Sequence, residues 1–217
     1  MFRHVLDDRR CLRLGLMALP AWLGMFVAVL PGPAAEIVRV EEDWQLQVAT
    51  PDPVSDAPQV TCLISPLGDV RSIHAAFELN QRSLPHFSAG GLQLQLWNGE
   101  SPQGHVQSAA TEIMRQPDEI VTWTQSMEIV GGVLKFAVIN GHSTTWGDFG
   151  GEGLLKIDVP TTLTNLNLYD PQVSVDNSAV GYAANRVTSL VLKRVRVVTN
   201  TGETAEDTTP RIVQGQP

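Results

Sequence analysis

The stretch from Ile120 to Asn140 constrains the fold more than any other, because strand pairing can be read from it residue by residue. Two extended runs, Ile120 to Val130 and Val133 to Asn140, flank Gly131-Gly132, a two-residue signal for a tight hairpin turn. Counting outward from the turn places Val130 opposite Val133, Ile129 opposite Leu134, Glu128 opposite Lys135 and Met127 opposite Phe136. Alternation then puts Trp123, Met127, Ile129, Leu134, Phe136 and Val138 on one face, and Thr122, Thr124, Ser126, Glu128 and Lys135 on the other. The first face is a core surface and the second a wet one. A one-residue slip would turn the whole apolar set outward, so burial fixes this register.

Other short runs follow the same logic. Ile37 to Val40, Trp44 to Val48, Gln59 to Ile64, Ile73 to Asn80 and Leu154 to Val159 read as strands, separated by Pro, Gly and Asp clusters. Gly91 to Trp97 alternates most cleanly, with Leu92, Leu94 and Leu96 facing one way and Gln93, Gln95 and Trp97 the other. A final run, Arg186 to Val198, changes phase, and a bulge near Lys193 reconciles its two halves. The segment between Pro160 and Arg186 reads as a long connection. Thr201 to Pro217 has almost no apolar periodicity and is expected to be a disordered tail. About nine short strands and no convincing helix predict an all-β fold, an antiparallel sandwich of jelly-roll type. In strand spacing, and in a polar face carrying aromatics, the chain resembles lectin-like jelly rolls of the concanavalin or laminin-G kind.

The N-terminus has Arg3, Arg9, Arg10 and Arg13, an uncharged apolar run from Leu14 to Pro33, and then Ala34 and Ala35. That order predicts a secretory signal peptide over residues 1–35, followed by one domain over 36–200 and the tail over 201–217. Arg9-Arg10 also resembles a twin-arginine export signal, and the apolar run is long enough to serve as an uncleaved anchor. No other segment is expected to span a membrane. The expected location is the periplasm, the cell surface or the extracellular medium. Removing residues 1–35 takes away four Arg and two Asp, leaving 11 basic and 21 acidic residues and a net charge near −10. Such a surface repels nucleic acid. Cys62 is the one cysteine remaining, so no internal disulfide is available, and its apolar neighbours predict a buried small hydrophobe.

Catalytic constellations are missing from the sequence. It has no nucleophile elbow, no phosphate-cradling glycine motif, no His-x-x-x-His pair and no Cys-x-x-Cys. Retaining glycosidases of this kind of fold need two carboxylates about 5 Å apart, which a strand supplies as Glu-x-Asp-x-x-Glu or Glu-x-Asp-x-Glu, and nothing in the sequence matches either pattern. The expectation is a non-enzymatic domain, with a glycan-processing enzyme as the outlying alternative. Sugars are recognised by aromatic faces with amides and carboxylates beside them, which makes Gln93, Gln95 and Trp97 a candidate ligand-binding row. In the competing reading, Trp97 caps the core or this face is buried under the tail. The glycine-rich segment from Gly141 to Gly153 adds Trp146, Asp148 and Phe149 as loop candidates. No cofactor is implied beyond a weak calcium option. Asp148 with Glu152 is one candidate for it, and Asp170 with Asp176 and Asn177 another. The expected partner is an extracellular glycan or an envelope protein. The alternative is a structural or interaction domain of the bacterial cell envelope with no small ligand.

Overall fold

The computed structural model describes residues 35–49, 58–80, 91–108, 114, 116–145, 147–151 and 154–215. The expected signal peptide and anchor therefore lie outside the described residues. Ala35–Pro217 forms one compact unit. Among the described residues no helix is long and apolar enough to cross a membrane.

Two antiparallel sheets pack face to face. The larger is built on β1 (Ile37–Val48), β6 (Glu119–Val130), β7 (Val133–Ser143) and β11 (Val187–Thr199). Two short strands, β12 (Thr204–Asp207) and β13 (Arg211–Gly215), share the outer edge of β11. In the same way β8 (Gly147–Phe149) and β9 (Lys156–Pro160) share the outer edge of β7. The order across this sheet is β12-β11-β1-β6-β7-β8. The smaller sheet has β10 (Ala179–Tyr182), β2 (Gln59–Ile64), β3 (Ile73–Leu79), β4 (Leu92–Asn98) and β5 (Ser101–Ser108), with β2 to β5 following one another as neighbours. This order supports the coarser of the two expectations, a two-sheet antiparallel sandwich.

The hairpin forms in the register read from the sequence, with Met127 opposite Phe136 and Val130 opposite Val133. Glu128 and Lys135 face one another in that register, although no ion pair forms between them. Trp123, Met127, Leu134, Phe136 and Val138 are buried. They meet Cys62, Phe77, Leu94 and other residues of the smaller sheet in one continuous core. Trp44 and Trp123, opposite one another on β1 and β6, stack with centroids 6.4 Å apart, and Phe77 packs edge-on against Trp123 at 5.6 Å. Each such buried ring contributes about 1.5–3 kcal/mol by removal from water, so this aromatic stack is a main tie between the sheets.

The bulge expected near Lys193 is present. Asp43 pairs with Arg194 and Trp44 with Leu192, so Lys193 is the extra residue. Its insertion restores Leu190, Leu192 and Val195 to a common buried face.

Two expectations are corrected. Thr201 to Gly215 is not a free tail, because β12 and β13 pair with β11. Edge strands are held by backbone pairing rather than by a buried stripe, so they carry little apolar periodicity to read. Side chains add to the pairing: Arg211 bonds Asp207, and Gln214 Nε2 donates to the Ala184 carbonyl at 2.7 Å. The connection after Pro160 holds a short helix, α1 (Pro171–Asn177), started by Asp170, whose carboxylate accepts from Gln172 N at 2.8 Å. An aspartate cap followed by proline at the first helical position is the local signal for it.

Candidate ligand-binding site

The Gln93, Gln95 and Trp97 row lies on the outer face of the smaller sheet, as the alternation on β4 requires. Its neighbours in register are Glu78, Ala76 and His74 on one side, and Gln107, His105 and Pro102 on the other. The row is not solvated. Gln93 is fully buried and Gln95 is 4% exposed, in keeping with the competing reading that this face is covered. The C-terminal strands β12 and β13 do not cover it, because they belong to the opposite sheet. Within the row the polar groups bond one another. Trp97 Nε1 donates to Gln95 Oε1 at 2.8 Å, and Gln95 Nε2 donates to Gln93 Oε1. Gln93 Nε2 ends this relay without a partner in the interior. What reaches the surface is a shallow, mostly apolar depression of about 110 Å³ between Gln95, Trp97, Pro102, Gly104 and His105.

The glycine-rich segment divides its candidates. Trp146 and Glu152 lie outside the described residues. Asp148 points outward, where His142 Nδ1 meets its Oδ1 at 2.7 Å, with both side chains exposed. Phe149 turns inward and stacks on Phe77 with centroids 6.2 Å apart. Its path runs so close to β7 that a Cβ on Gly141 would lie 2.5 Å from the Phe149 carbonyl oxygen. Asp148 and Phe149 are thus adjacent in sequence but on opposite sides of the strand. The other candidate set is taken up locally, Asp170 by the helix cap, Asp176 by Gln172 Nε2 at 2.7 Å, and Asn177 by donating to the Val173 carbonyl at 2.8 Å. Among the described residues no three His, Cys, Asp or Glu side chains come close enough to hold a metal ion.

A different place has the shape of a site. The pair Trp44 and Trp123 is flanked by two bulges, one on each side of the central β1–β6 pair. The first is Lys193 on β11. The second is on β7, where Thr122 pairs with His142 but Thr124 pairs with Ile139, leaving Asn140 and Gly141 opposite Trp123 alone. Asn140 takes the left-handed conformation there, with φ 53°. Bulges increase local twist and bend the strand that carries them. Two of them in one row leave a depression of about 350 Å³ on the outer face of the larger sheet, lined by Asp43, Gln45, Thr122, Thr124, Asn140, Lys193, Arg194 and the backs of the two tryptophans. Part of this lining is fixed by hydrogen bonds. Asp43 accepts from Thr124 Oγ1 at 2.7 Å and from Arg194 Nε at 2.8 Å, and Arg194 also reaches Glu206 at 3.2 Å. Asn140 and Lys193 are exposed at the two ends. Amide, hydroxyl, ammonium and carboxylate groups together can both donate to and accept from a polar ligand.

No family model and no curated protein matches the chain. Its chemistry therefore has to be read from its own residues.

The sequence reading missed one further polar group. Glu42 falls between the expected strands Ile37 to Val40 and Trp44 to Val48, but β1 is continuous, and Val40, Glu42, Trp44 and Leu46 all face the interior. One carboxyl oxygen accepts from Tyr169 Oη at 2.7 Å and from Ser174 Oγ at 2.5 Å, and the other accepts from Trp44 Nε1 at 3.0 Å. The carboxyl thus ties α1 and the loop before it to the larger sheet. Burial pushes its pKa up to about 7, although the three donors and the positive charge of Arg211 oppose the rise. Burial also raises the Tyr169 hydroxyl, with the Glu42 charge adding to it. Gln125, opposite Glu42 on β6, spans to the smaller sheet by donating to the Cys62 carbonyl at 3.0 Å. Glu42 is fully enclosed, so its role is to hold the fold, not to meet a ligand.

Proposed function

We propose that the protein is an exported, non-enzymatic β-sandwich domain that binds carbohydrate in the depression between the two bulges. The observation that carries this reading is the lining itself: about 350 Å³ edged by amide, hydroxyl and charged groups, within the size range of small-ligand sites. The rigid β1–β6 pair beneath it, and the Asp43 bonds to Thr124 and Arg194, reduce the ordering that binding would otherwise demand. Trp97, with Pro102 and His105, offers a second and smaller stacking surface on the opposite sheet. Export rests on the N-terminal order of arginines, apolar run and small residues.

A glycan array probed with the wild type, Asn140→Ala and Trp97→Ala, with and without a calcium chelator, tests this. Binding that Asn140→Ala abolishes and Trp97→Ala spares supports the depression. The reverse pattern moves the site to the smaller sheet, and loss on chelation alone would bring calcium into the account. Silence across the array favours a second reading, an interaction domain of the cell envelope with no small ligand. The mutual bonding of the Gln93, Gln95 and Trp97 row supports that alternative, because amides bonded to one another have little left for a sugar.

A further inference from the structure

Charge around the same depression narrows the class of ligand. Three arginines and three carboxylates on the outer face of the larger sheet form one continuous line. Arg39 and Arg196 meet Glu41, Arg196 and Arg194 meet Glu206, and Arg194 meets Asp43. The six charges sum to zero, and Asp43 with Arg194 is the end of the chain that enters the depression. Lys193 stands next to it as the extra residue of the bulge, exposed and in no ion pair among the described residues. A residue in that position is left out of the strand ladder, and Lys193 is part of the depression's lining. The net result is one unbalanced positive charge on a protein whose overall charge is −8.

We infer that the depression takes a saccharide carrying a carboxylate on its ring, a uronic acid residue within a glycan, with Lys193 meeting the carboxylate and Asn140, Gln45 and Thr122 meeting hydroxyls. This rests on the carbohydrate reading above. A single ammonium suits a monoanion. A phosphate monoester, close to doubly charged near neutral pH, calls for more positive charge than one ammonium supplies, and the Asp43 carboxylate in the same lining opposes that second negative charge. The spacing of the bulges sets the order of contacts, with the anion at the β11 end and neutral hydroxyls toward Asn140.

The test is calorimetric titration of the protein with a short oligogalacturonate and with its neutral methyl ester, at low and high salt. Wild type, Lys193→Met, Lys193→Arg and Asn140→Ala are compared. The expected result is that wild type binds the acid roughly fivefold or more tighter than the ester, a preference that shrinks at high salt. Lys193→Met should bring the acid down to the ester's affinity while leaving the ester unchanged, and Lys193→Arg should keep the preference. Equal affinity of wild type for acid and ester, with both lost in Asn140→Ala, would overturn the inference and leave the carbohydrate reading standing. An acid preference that survives Lys193→Met would also overturn it. Failure of both ligands to bind wild type overturns it too, and together with silence on the array would remove the carbohydrate reading as well.

Discussion

Replacing Glu42 by glutamine separates the cost of burying a charge from the worth of its hydrogen bonds. The carboxyl is fully buried and its pKa stands at about 7 instead of the ordinary 4.5, with burial as the largest cause. Between those values the folded protein holds a proton that the unfolded chain has released. The stability associated with this group is therefore fully present below pH 4.5 and is lost as the pH rises to about 7. At about 1.4 kcal/mol per pH unit across that window, the loss is about 3 kcal/mol, a sizeable share of the stability of a domain. Glutamine cannot ionise and so escapes this loss. It keeps one carbonyl oxygen as acceptor, so either Trp44 or the Tyr169 and Ser174 pair loses its partner, which costs about 1–2 kcal/mol at low pH. Glu42→Gln is then the less stable protein at pH 4 and gains about 3 kcal/mol on the wild type by pH 8. His74, whose pKa burial lowers, pushes stability the other way below pH 6.5, and Asp207, held near 2, matters only in acid. Both cancel in the difference between the two proteins. Urea unfolding at a series of pH values, with m checked for constancy, measures that difference. Two parallel curves, agreeing within about 0.5 kcal/mol from pH 4 to 8, would refute the argument by showing that Glu42 ionises normally in the folded state.

Other positions give sharper steric and chemical readouts. Gly141→Ala forces a methyl group against both the ring and the carbonyl of Phe149 and should lower stability by about 1–3 kcal/mol in thermal or urea melts. Gly104→Ala, with nothing within 4 Å of the new methyl, should be neutral by the same assay. Cys62 is enclosed and its thiol pKa is raised by burial, with Glu42 adding to the rise. In a Cys11→Ser background, a thiol reagent should label it only at the rate of unfolding, and rapid labelling of the native protein would contradict its burial. Gly215→Ala puts a methyl into the Thr188 carbonyl at a backbone φ of +80°. It should detach β13, read as faster amide exchange from Ser189 to Leu192 with the β1–β6 amides unchanged.

How much of this could be read beforehand depended on what each segment buries. The central hairpin was legible because Gly131-Gly132 marks its turn and, Gln125 apart, the residues of its inward face are apolar, which fixes the register. The bulge at Lys193 was legible for a related reason: a strand buried on one face cannot change phase without one. β12 and β13 were not legible, since residues at a sheet edge pair through backbone atoms that are the same in every sequence. For the Gln93, Gln95 and Trp97 row the sequence leaves two readings open, because alternation tells which residues share a face and not whether that face is covered. In the sequence Asn140 is the last residue of a strand that ends at a glycine-rich segment, Gly141 to Gly153. Its part in the depression depends on a second bulge and on neighbours from β1 and β11, at distances in sequence that no local pattern links. Glu42 falls between the two short runs read at Ile37 to Val40 and Trp44 to Val48, and what makes its burial tolerable is one donor from Trp44 and two from Tyr169 and Ser174, far away in sequence.

The most direct test of the central claim is an amide chemical-shift map recorded while a uronate-containing oligosaccharide and its neutral counterpart are titrated into the labelled protein. The account predicts saturable shifts gathered at Asp43, Gln45, Thr122, Thr124, Asn140 and Lys193, the larger ones at Lys193 with the acidic ligand. Shifts gathered instead around Trp97 and β5, or none with any saccharide tried, would contradict it.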